Sequence, residues 1–573
     1  MIFLIVAAFA FSLDAQQITV NTPLGSVTGF HVNYGKNNGS SLWYGEGDIF
    51  LGIPFAQPPV GNLRFQAPQP IRRYPNGNVD ATQYKAACPQ GPGPMCRNQS
   101  EDCLYLNVYS PNVSSQNKYP VMIWIHGGAL LTGCASMAPY KGAVRNLVSH
   151  GVVVVVLQYR LGLPGFFTTN TPDFPANRGL LDQLEALKWV QQNIASFGGN
   201  PQLVTLFGES AGSMSVSAHT FSPLSRGLFH QAIMESGSLF TTLDGYNVYK
   251  NLSATRAQQL CGIPVSQFPN ANRDQLLGCM NTLQPQQWTA LDQTEQSGWP
   301  IILDNNFLPA TPETLNSQRQ RMPVIYGNMK DEYAFVLYIS MGPPQNVPMS
   351  AFSRQYVQKL LQDAIPFYGS SLPLVWNVTS NAYLPKGTSD SDAATWWMTA
   401  NNMLTGLTFT QWIVKDAKMQ LKNENSNVYL FEQTYPTKMA QPSAASEVVT
   451  QQLGGYRPVA HTAELPYIWM MTDKFWVSEF DVALANAYGL WWTNFAKHGR
   501  PTLDGSWSPV QLGTNQLNHW RIDDPQKGGM QMIRGYRDRD DFVYQQLLPN
   551  LLARRSAGTS NTQSFIQAVT NKY

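Results

Sequence analysis

Leu203 to Gly212 (LVTLFGESAG) place a serine where nucleophilic chemistry becomes feasible. An apolar, β-branched run leads into Gly208-Glu209-Ser210-Ala211-Gly212, and Ser213 to Ser217 continue with helical character. Strand, tight turn and helix in that order predict a nucleophile elbow, with the Ser210 hydroxyl projecting from a sheet edge and small neighbours giving it clearance. A serine hydroxyl is a poor nucleophile at neutral pH, so the chain must also bring a base to it. Upstream, Val121 to Ile125 reads as a buried strand that runs into His126-Gly127-Gly128-Ala129. Such a turn frees backbone N–H groups for an anion, because glycine lets the chain approach a ligand closely.

The elements that must hold these turns are legible around them. Ile18 to Phe30 alternates and turns like a hairpin, and Leu104 to Tyr109 alternates as a strand. Val152 to Leu157 is a further strand, Met234 to Ser238 ends another, and Val428 to Phe431 is a late one. Between them, Gly179 to Phe197 carries apolar residues at helical spacing and stops at Gly198-Gly199. Strand–helix alternation up to the elbow predicts an α/β fold with a predominantly parallel sheet and crossover helices. Residues 345–391 are expected to be helices and loops covering the site.

Two further segments carry a resemblance. Phe50 to Phe65 is punctuated by Pro and Gly yet too apolar for a solvated loop, and Glu101 to Asn107 reads EDCLYLN. In these stretches the chain resembles the type-B carboxylesterase family, the cholinesterase-like branch of the α/β-hydrolases, from about Ile18 to about Pro549. The resemblance implies one large domain over 16–573, against the roughly four domains that length alone suggests. It implies a triad of Ser210, Glu332 and His461. Glu332 closes the strand-and-acid segment Pro323 to Glu332, with Asp331 its rival, and His461 lies in His461-Thr462-Ala463-Glu464-Leu465-Pro466-Tyr467. The oxyanion donors carried over are the N–H groups of Gly128, Ala129 and Ala211, with Glu209 and Ser236 beside the triad. Family likeness further implies disulfides Cys88–Cys103 and Cys261–Cys279, ion pairs Arg64–Glu101 and Arg160–Asp182, and a C-terminal helix over Ala487 to Arg500. Three positions depart from the family pattern: Ala129 replaces a glycine, Asn200 an acid, and Tyr333 a glycine.

Composition narrows the function classes. The 573-residue chain is 43% hydrophobic and 12% aromatic, enough for a large core, and its net charge of +2 offers no basic field for nucleic acid. Met1 to Leu13 is an apolar run too short to span a bilayer and reads as a signal peptide, removed after about Ala15. No later stretch has membrane-span length, and the polar C-terminus lacks a lipid-anchor or retention signal, so a soluble secreted protein is expected. Sequons at Asn38, Asn98, Asn112, Asn251 and Asn377 fit that route. Six cysteines in a secreted chain point to disulfides, and sequence leaves open whether Cys96 and Cys134 pair or stay free. Metal-ligand spacings and glycine-rich phosphate loops are missing, so neither metal nor cofactor is expected.

The expected function is a secreted serine hydrolase acting on small-molecule carboxylic esters through an acyl-enzyme. Lipase-like and cholinesterase-like hydrolases are the rival enzymes, and a non-catalytic adhesion ectodomain is the rival outside enzymology. The short Cys88–Cys103 segment has no amphipathic helix to serve as a lipase lid, and it holds no aromatic residue to bind a quaternary ammonium.

Overall fold

The computed structural model describes residues 16–556 apart from 38–41, 94–95, 245–247, 271–272, 293–297, 437–438, 440–442, 472–477, 515, 525 and 527. The expected signal segment and Asn38 lie outside the described residues. Among those described, thirteen strands form one sheet. They are β1 (Gln17–Thr22), β2 (Gly25–Asn33), β3 (Glu46–Pro54), β4 (Asn78–Asp80), β5 (Tyr105–Ser110), β6 (Tyr119–Ile125) and β7 (Val153–Leu157). Then come β8 (Gly199–Glu209), β9 (Gln231–Glu235), β10 (Val324–Met329), β11 (Val428–Gln433), β12 (Asn518–Ile522) and β13 (Gln531–Arg534). The order is β1-β2-β3-β5-β7-β6-β8-β9-β10-β11-β12-β13, with β4 beside β2.

The sheet is mixed. From β7 to β12 every pairing is parallel, whereas β1-β2-β3-β5-β7 and β12-β13 pair antiparallel. Strand β7, VVVVL, is buried along its whole length, as a strand covered on both faces must be. Side chains alternate between faces along a strand, so Val153, Val155 and Leu157 enter one apolar core and Val154 and Val156 the other. Helix Arg178–Asn193 follows the expected span, except that its last turn tightens to 3₁₀ over Ile194–Phe197 before Gly198 ends it at φ 84°.

Polar side chains pin these layers at a few buried points. Arg160 donates to Asp182 through Nε at 2.8 Å and Nη2 at 2.7 Å, and Arg64 forks onto Glu101. Deeper still, Asp416 accepts from Arg319 Nη1 at 2.7 Å and the Tyr326 hydroxyl at 2.9 Å on one oxygen. Its other oxygen accepts from the hydroxyls of Ser217 at 2.5 Å and Ser238 at 2.9 Å. Ser217 belongs to helix Ala211–Phe221, which follows the elbow, so this cluster ties that helix to the strands. Three disulfides are present: Cys88–Cys103, Cys261–Cys279 and Cys96–Cys134. Helices Arg354–Ala364 and Leu372–Tyr383, within 345–391, share an apolar cluster with helix Ala334–Met341, the element that follows Glu332.

Candidate active site

The register of the parallel strands brings their ends level: Ile125 of β6 lies beside Gly208 of β8, and Glu209 of β8 beside Glu235 of β9. The turns that leave β6, β8 and β9 therefore open onto one edge, the carboxyl end of the parallel strands, where open α/β sheets place their ligands. Ser210 sits in the turn after β8 at φ 57° and ψ −126°, a conformation that costs a non-glycine residue about 1–3 kcal/mol. Two bonds over-determine it, Ser210 N to Glu235 O at 2.8 Å and Met214 N to Ser210 O at 2.9 Å. Gly212 is required by contact, since a Cβ there would stand 2.0 Å from the Ile125 carbonyl oxygen. Ala211 opens the helix, and its N–H is one of the donors that a helix start leaves without an intrahelical partner.

After β10 the chain turns through Lys330, Asp331 and Glu332. Both oxygens of the buried Glu332 carboxylate are engaged: Oε1 accepts the Met329 N–H at 2.7 Å, and Oε2 lies 2.6 Å from His461 Nδ1. A carboxylate in that place keeps the ring proton on Nδ1 and leaves the lone pair on Nε2. Asp331 points elsewhere, onto Tyr456, Val459 and Asn401. Tyr333 takes φ −71°, so nothing at that position demands the family's glycine. The Asn200 side chain closes a local turn by accepting the Gln202 N–H at 3.0 Å.

The third turn follows β6. His126 is buried, and burial lowers its pKa to about 4, so the ring is neutral. Its Nδ1–H donates to the Gly127 carbonyl at 2.9 Å, and its ring stacks on Tyr159 with centroids 4.5 Å apart. The Gly128 carbonyl accepts the N–H groups of Leu131 and Thr132, both at 2.9 Å, which curls the turn and leaves the N–H groups of Gly128 and Ala129 uncommitted among the described residues. Ala129 stands at φ 56°, in the left-handed region. The methyl that departs from the family glycine thus carries backbone strain as well as bulk.

Four buried carboxyl groups crowd this edge. Burial, then Glu464, Glu332 and Glu235, push the Glu209 carboxyl well above the usual range, and burial pushes Glu235 up to about 8. Glu235 Oε1 accepts the Trp492 indole N–H at 2.9 Å, while neither oxygen of Glu464 is hydrogen bonded among the described residues. Glu209 Oε1 lies 3.0 Å from His461 Nε2. That oxygen makes no hydrogen bond among the described residues, so the contact is a close approach and not a bond. The Ser210 hydroxyl has no hydrogen-bond partner among the described residues. Ser236, at φ 57° after β9, hangs its N–H on the Gly327 carbonyl at 2.8 Å and buries its hydroxyl without a partner.

Two residues that the sequence did not single out complete the surroundings. The rings of Phe409 and Phe335 stand 4.8 Å and 5.9 Å from the His461 imidazole. Phe409 lies in a π-helical turn, Gly406–Thr410, between two α-helices, a distortion that recurs at functional sites but has no sequence signature. A cavity of about 550 Å³ between the Cys88–Cys103 segment and helix Pro285–Asp292 contains none of these groups.

A mixed, centrally parallel sheet with a strained serine and an acid–histidine pair at its carboxyl edge defines an α/β-hydrolase. Residues 16–542 match the profile of the carboxylesterase family. An acylcarnitine hydrolase of Mus musculus is 34% identical over 478 residues, 80% of each chain. A pyrethroid hydrolase, Ces2e, of Rattus norvegicus is 34% identical over 522 residues, 86% of this chain and 84% of its own. A medium-chain fatty acyl-CoA hydrolase precursor of Anas platyrhynchos is 30% identical over 581 residues, 96% of each. The chain belongs to the carboxylesterase family and is a carboxylic-ester hydrolase.

Proposed function

We propose that the protein is a secreted serine esterase that cleaves neutral carboxylic esters through an acyl-enzyme formed on Ser210. The observation that carries this reading is the 2.6 Å contact between Glu332 Oε2 and His461 Nδ1 on the edge that bears Ser210. His461 Nε2 takes the hydroxyl proton as Ser210 attacks the ester carbonyl and returns it to the departing alcohol. Glu332 holds the tautomer and stabilises the imidazolium without taking the proton. The N–H groups of Gly128, Ala129 and Ala211 receive the oxyanion, each worth roughly 2.7–4 kcal/mol in such sites. Water then repeats the sequence on the acyl-enzyme, and no cofactor enters.

Secretion is supported by the N-terminal apolar run and by the three disulfides. Asn98, Asn112 and Asn251 are exposed and suit glycan attachment. Asn377 is half-buried on a helix with its carbonyl oxygen accepting from Asn381, which makes it the weakest of the four described sequons. The relatives' names point to different esters, so preference must be decided by this chain's own residues. A fluorophosphonate probe should label the wild type at Ser210 and leave Ser210→Ala unlabelled and inactive. Turnover that survives in a folded Ser210→Ala variant overturns the nucleophile, and an unlabelled wild type favours an adhesion protein.

A further inference from the structure

The proposed mechanism uses Glu332 and leaves its neighbour Asp331 without a role, although Asp331 is fully buried. A buried carboxylate is costly unless its lone pairs are filled. Here Oδ2 accepts the Tyr456 hydroxyl at 2.7 Å and the Val459 N–H at 2.9 Å, and Oδ1 accepts the Asn401 amide at 2.9 Å. The Asp331 N–H also donates to the Val459 carbonyl at 2.9 Å, and two residues later the His461 N–H donates to the Glu332 carbonyl at 3.3 Å. Residues 331–332 and 459–461 thus run alongside one another as a short ladder, with one carboxylate gripping backbone and the next gripping the imidazole.

The gripped segment has no regular secondary structure of its own. Residues 453–464 lie between helices Ala444–Gln452 and Leu465–Trp469 and contain no helix or strand. Asn401 belongs to helix Ala393–Thr405, whose Thr405 hydroxyl accepts the Tyr333 N–H at 3.0 Å and whose continuation carries Phe409 against the His461 ring. Asp331 therefore joins three things: the acid turn, the histidine segment, and the helix that packs the imidazole. We propose that Asp331 is a positioning residue, which latches segment 456–461 to the acid turn and so holds the His461 imidazole in register with Glu332 and Ser210. This rests on the Ser210–His461–Glu332 reading.

Steady-state kinetics of the full chain on an uncharged butyrate ester test it, with Asp331→Ala, Asp331→Asn, Tyr456→Phe and Glu332→Gln compared and folding followed by thermal melting. Misplacing a reacting group by about 1 Å can cost about 10²-fold, so Asp331→Ala should lower kcat and kcat/KM together by about that factor, with KM little changed. Asp331→Asn should recover most of this loss. Its amide oxygen can face Val459 and Tyr456, and the Asn401 side-chain oxygen, which lacks a partner, can turn to the new NH₂ group. Wild-type kcat in folded Asp331→Ala overturns the proposal, as does a loss confined to KM or an Asn variant as poor as Ala. If the Ala variant does not fold, Tyr456→Phe decides: a several-fold fall in kcat supports the latch, and wild-type kcat overturns it. Glu332→Gln separates the two layers, because wild-type turnover there breaks the triad reading whatever Asp331 does.

Discussion

His461 Nε2 lies 3.0 Å from Glu209 Oε1, so the ring edge that receives the Ser210 proton in the proposed mechanism is already faced by a buried carboxyl. Burial and the neighbouring Glu464, Glu332 and Glu235 carboxyls push the Glu209 carboxyl well above the usual range, which favours its neutral form beside the ring.

Glu209→Gln keeps an uncharged group of the same size at that position. Its turnover near neutral pH should fall by less than about tenfold, whereas losing a proton acceptor costs about 10²–10⁴-fold. Wild-type Glu209 can ionise as pH rises, a titration that glutamine lacks. The kcat/KM profile of the variant should therefore differ on the alkaline side. Superimposable alkaline limbs would show that Glu209 does not titrate at the site.

Glu235 makes a stability prediction. Its ordinary value is 4.5, and burial raises it to about 8 in the folded protein. Between those values the folded state holds a proton that the unfolded chain releases. The stability linked to this group is greatest at low pH and declines as pH rises through the folded value. From about pH 5 to about pH 8 the melting temperature should fall further, or rise less, in the wild type than in Glu235→Gln, because glutamine still accepts from Trp492 but cannot ionise. An equal difference in both proteins would reject the assignment.

Removing Asp416 strands a buried guanidinium. Breaking such a pair from one side costs about 3–5 kcal/mol, and Ser217, Ser238 and Tyr326 lose their acceptor as well. Asp416→Ala should therefore move the urea midpoint strongly downward, although Asp416 belongs to no proposed catalytic step. A shift equivalent to under about 1 kcal/mol would mean that Arg319 finds another partner.

Substrate charge gives the last test. The segment PQGPGPMCRNQSED between Cys88 and Cys103 contains no aromatic residue, and its Arg97 is exposed. Lacking a desolvated cation–π contact costs about 2 kcal/mol, roughly thirtyfold in selectivity. An uncharged butyrate ester should show a higher kcat/KM than butyrylcholine. A preference for the choline ester would mean that an aromatic from elsewhere takes the role.

What could be read from the chain was what is local or carried by a motif. The elbow, the glycine turn after β6 and most strands of the parallel centre are short apolar runs ending in small residues, and they lie where expected. The helix expected over 487–500 instead runs Glu479–His498. Its missed signal was local too: Ser478 and Asp481 form a capping box that starts the helix at Glu479, ahead of the expected Ala487. Other features depend on distant segments meeting. The Cys96–Cys134 disulfide has nothing in its spacing to announce it, and Phe409 reaches His461 only through a π-turn. The resemblance chose Glu332 over Asp331, and the different directions in which the two side chains point are not something adjacent acidic residues in a sequence give.

The two sides of the proposed machinery are anchored to materials of different durability. The Ser210 amide is hydrogen bonded at 2.8 Å to the end of β9, inside the sheet, and the His461 amide at 3.3 Å to an irregular turn. Regions held by few buried bonds open without the whole protein unfolding. In hydrogen exchange the Ser210 amide should be released only with global unfolding, and the His461 amide through a smaller local opening. An ageing or warmed preparation would then lose its base while its nucleophile still stood in place, so activity would decay before the fold did.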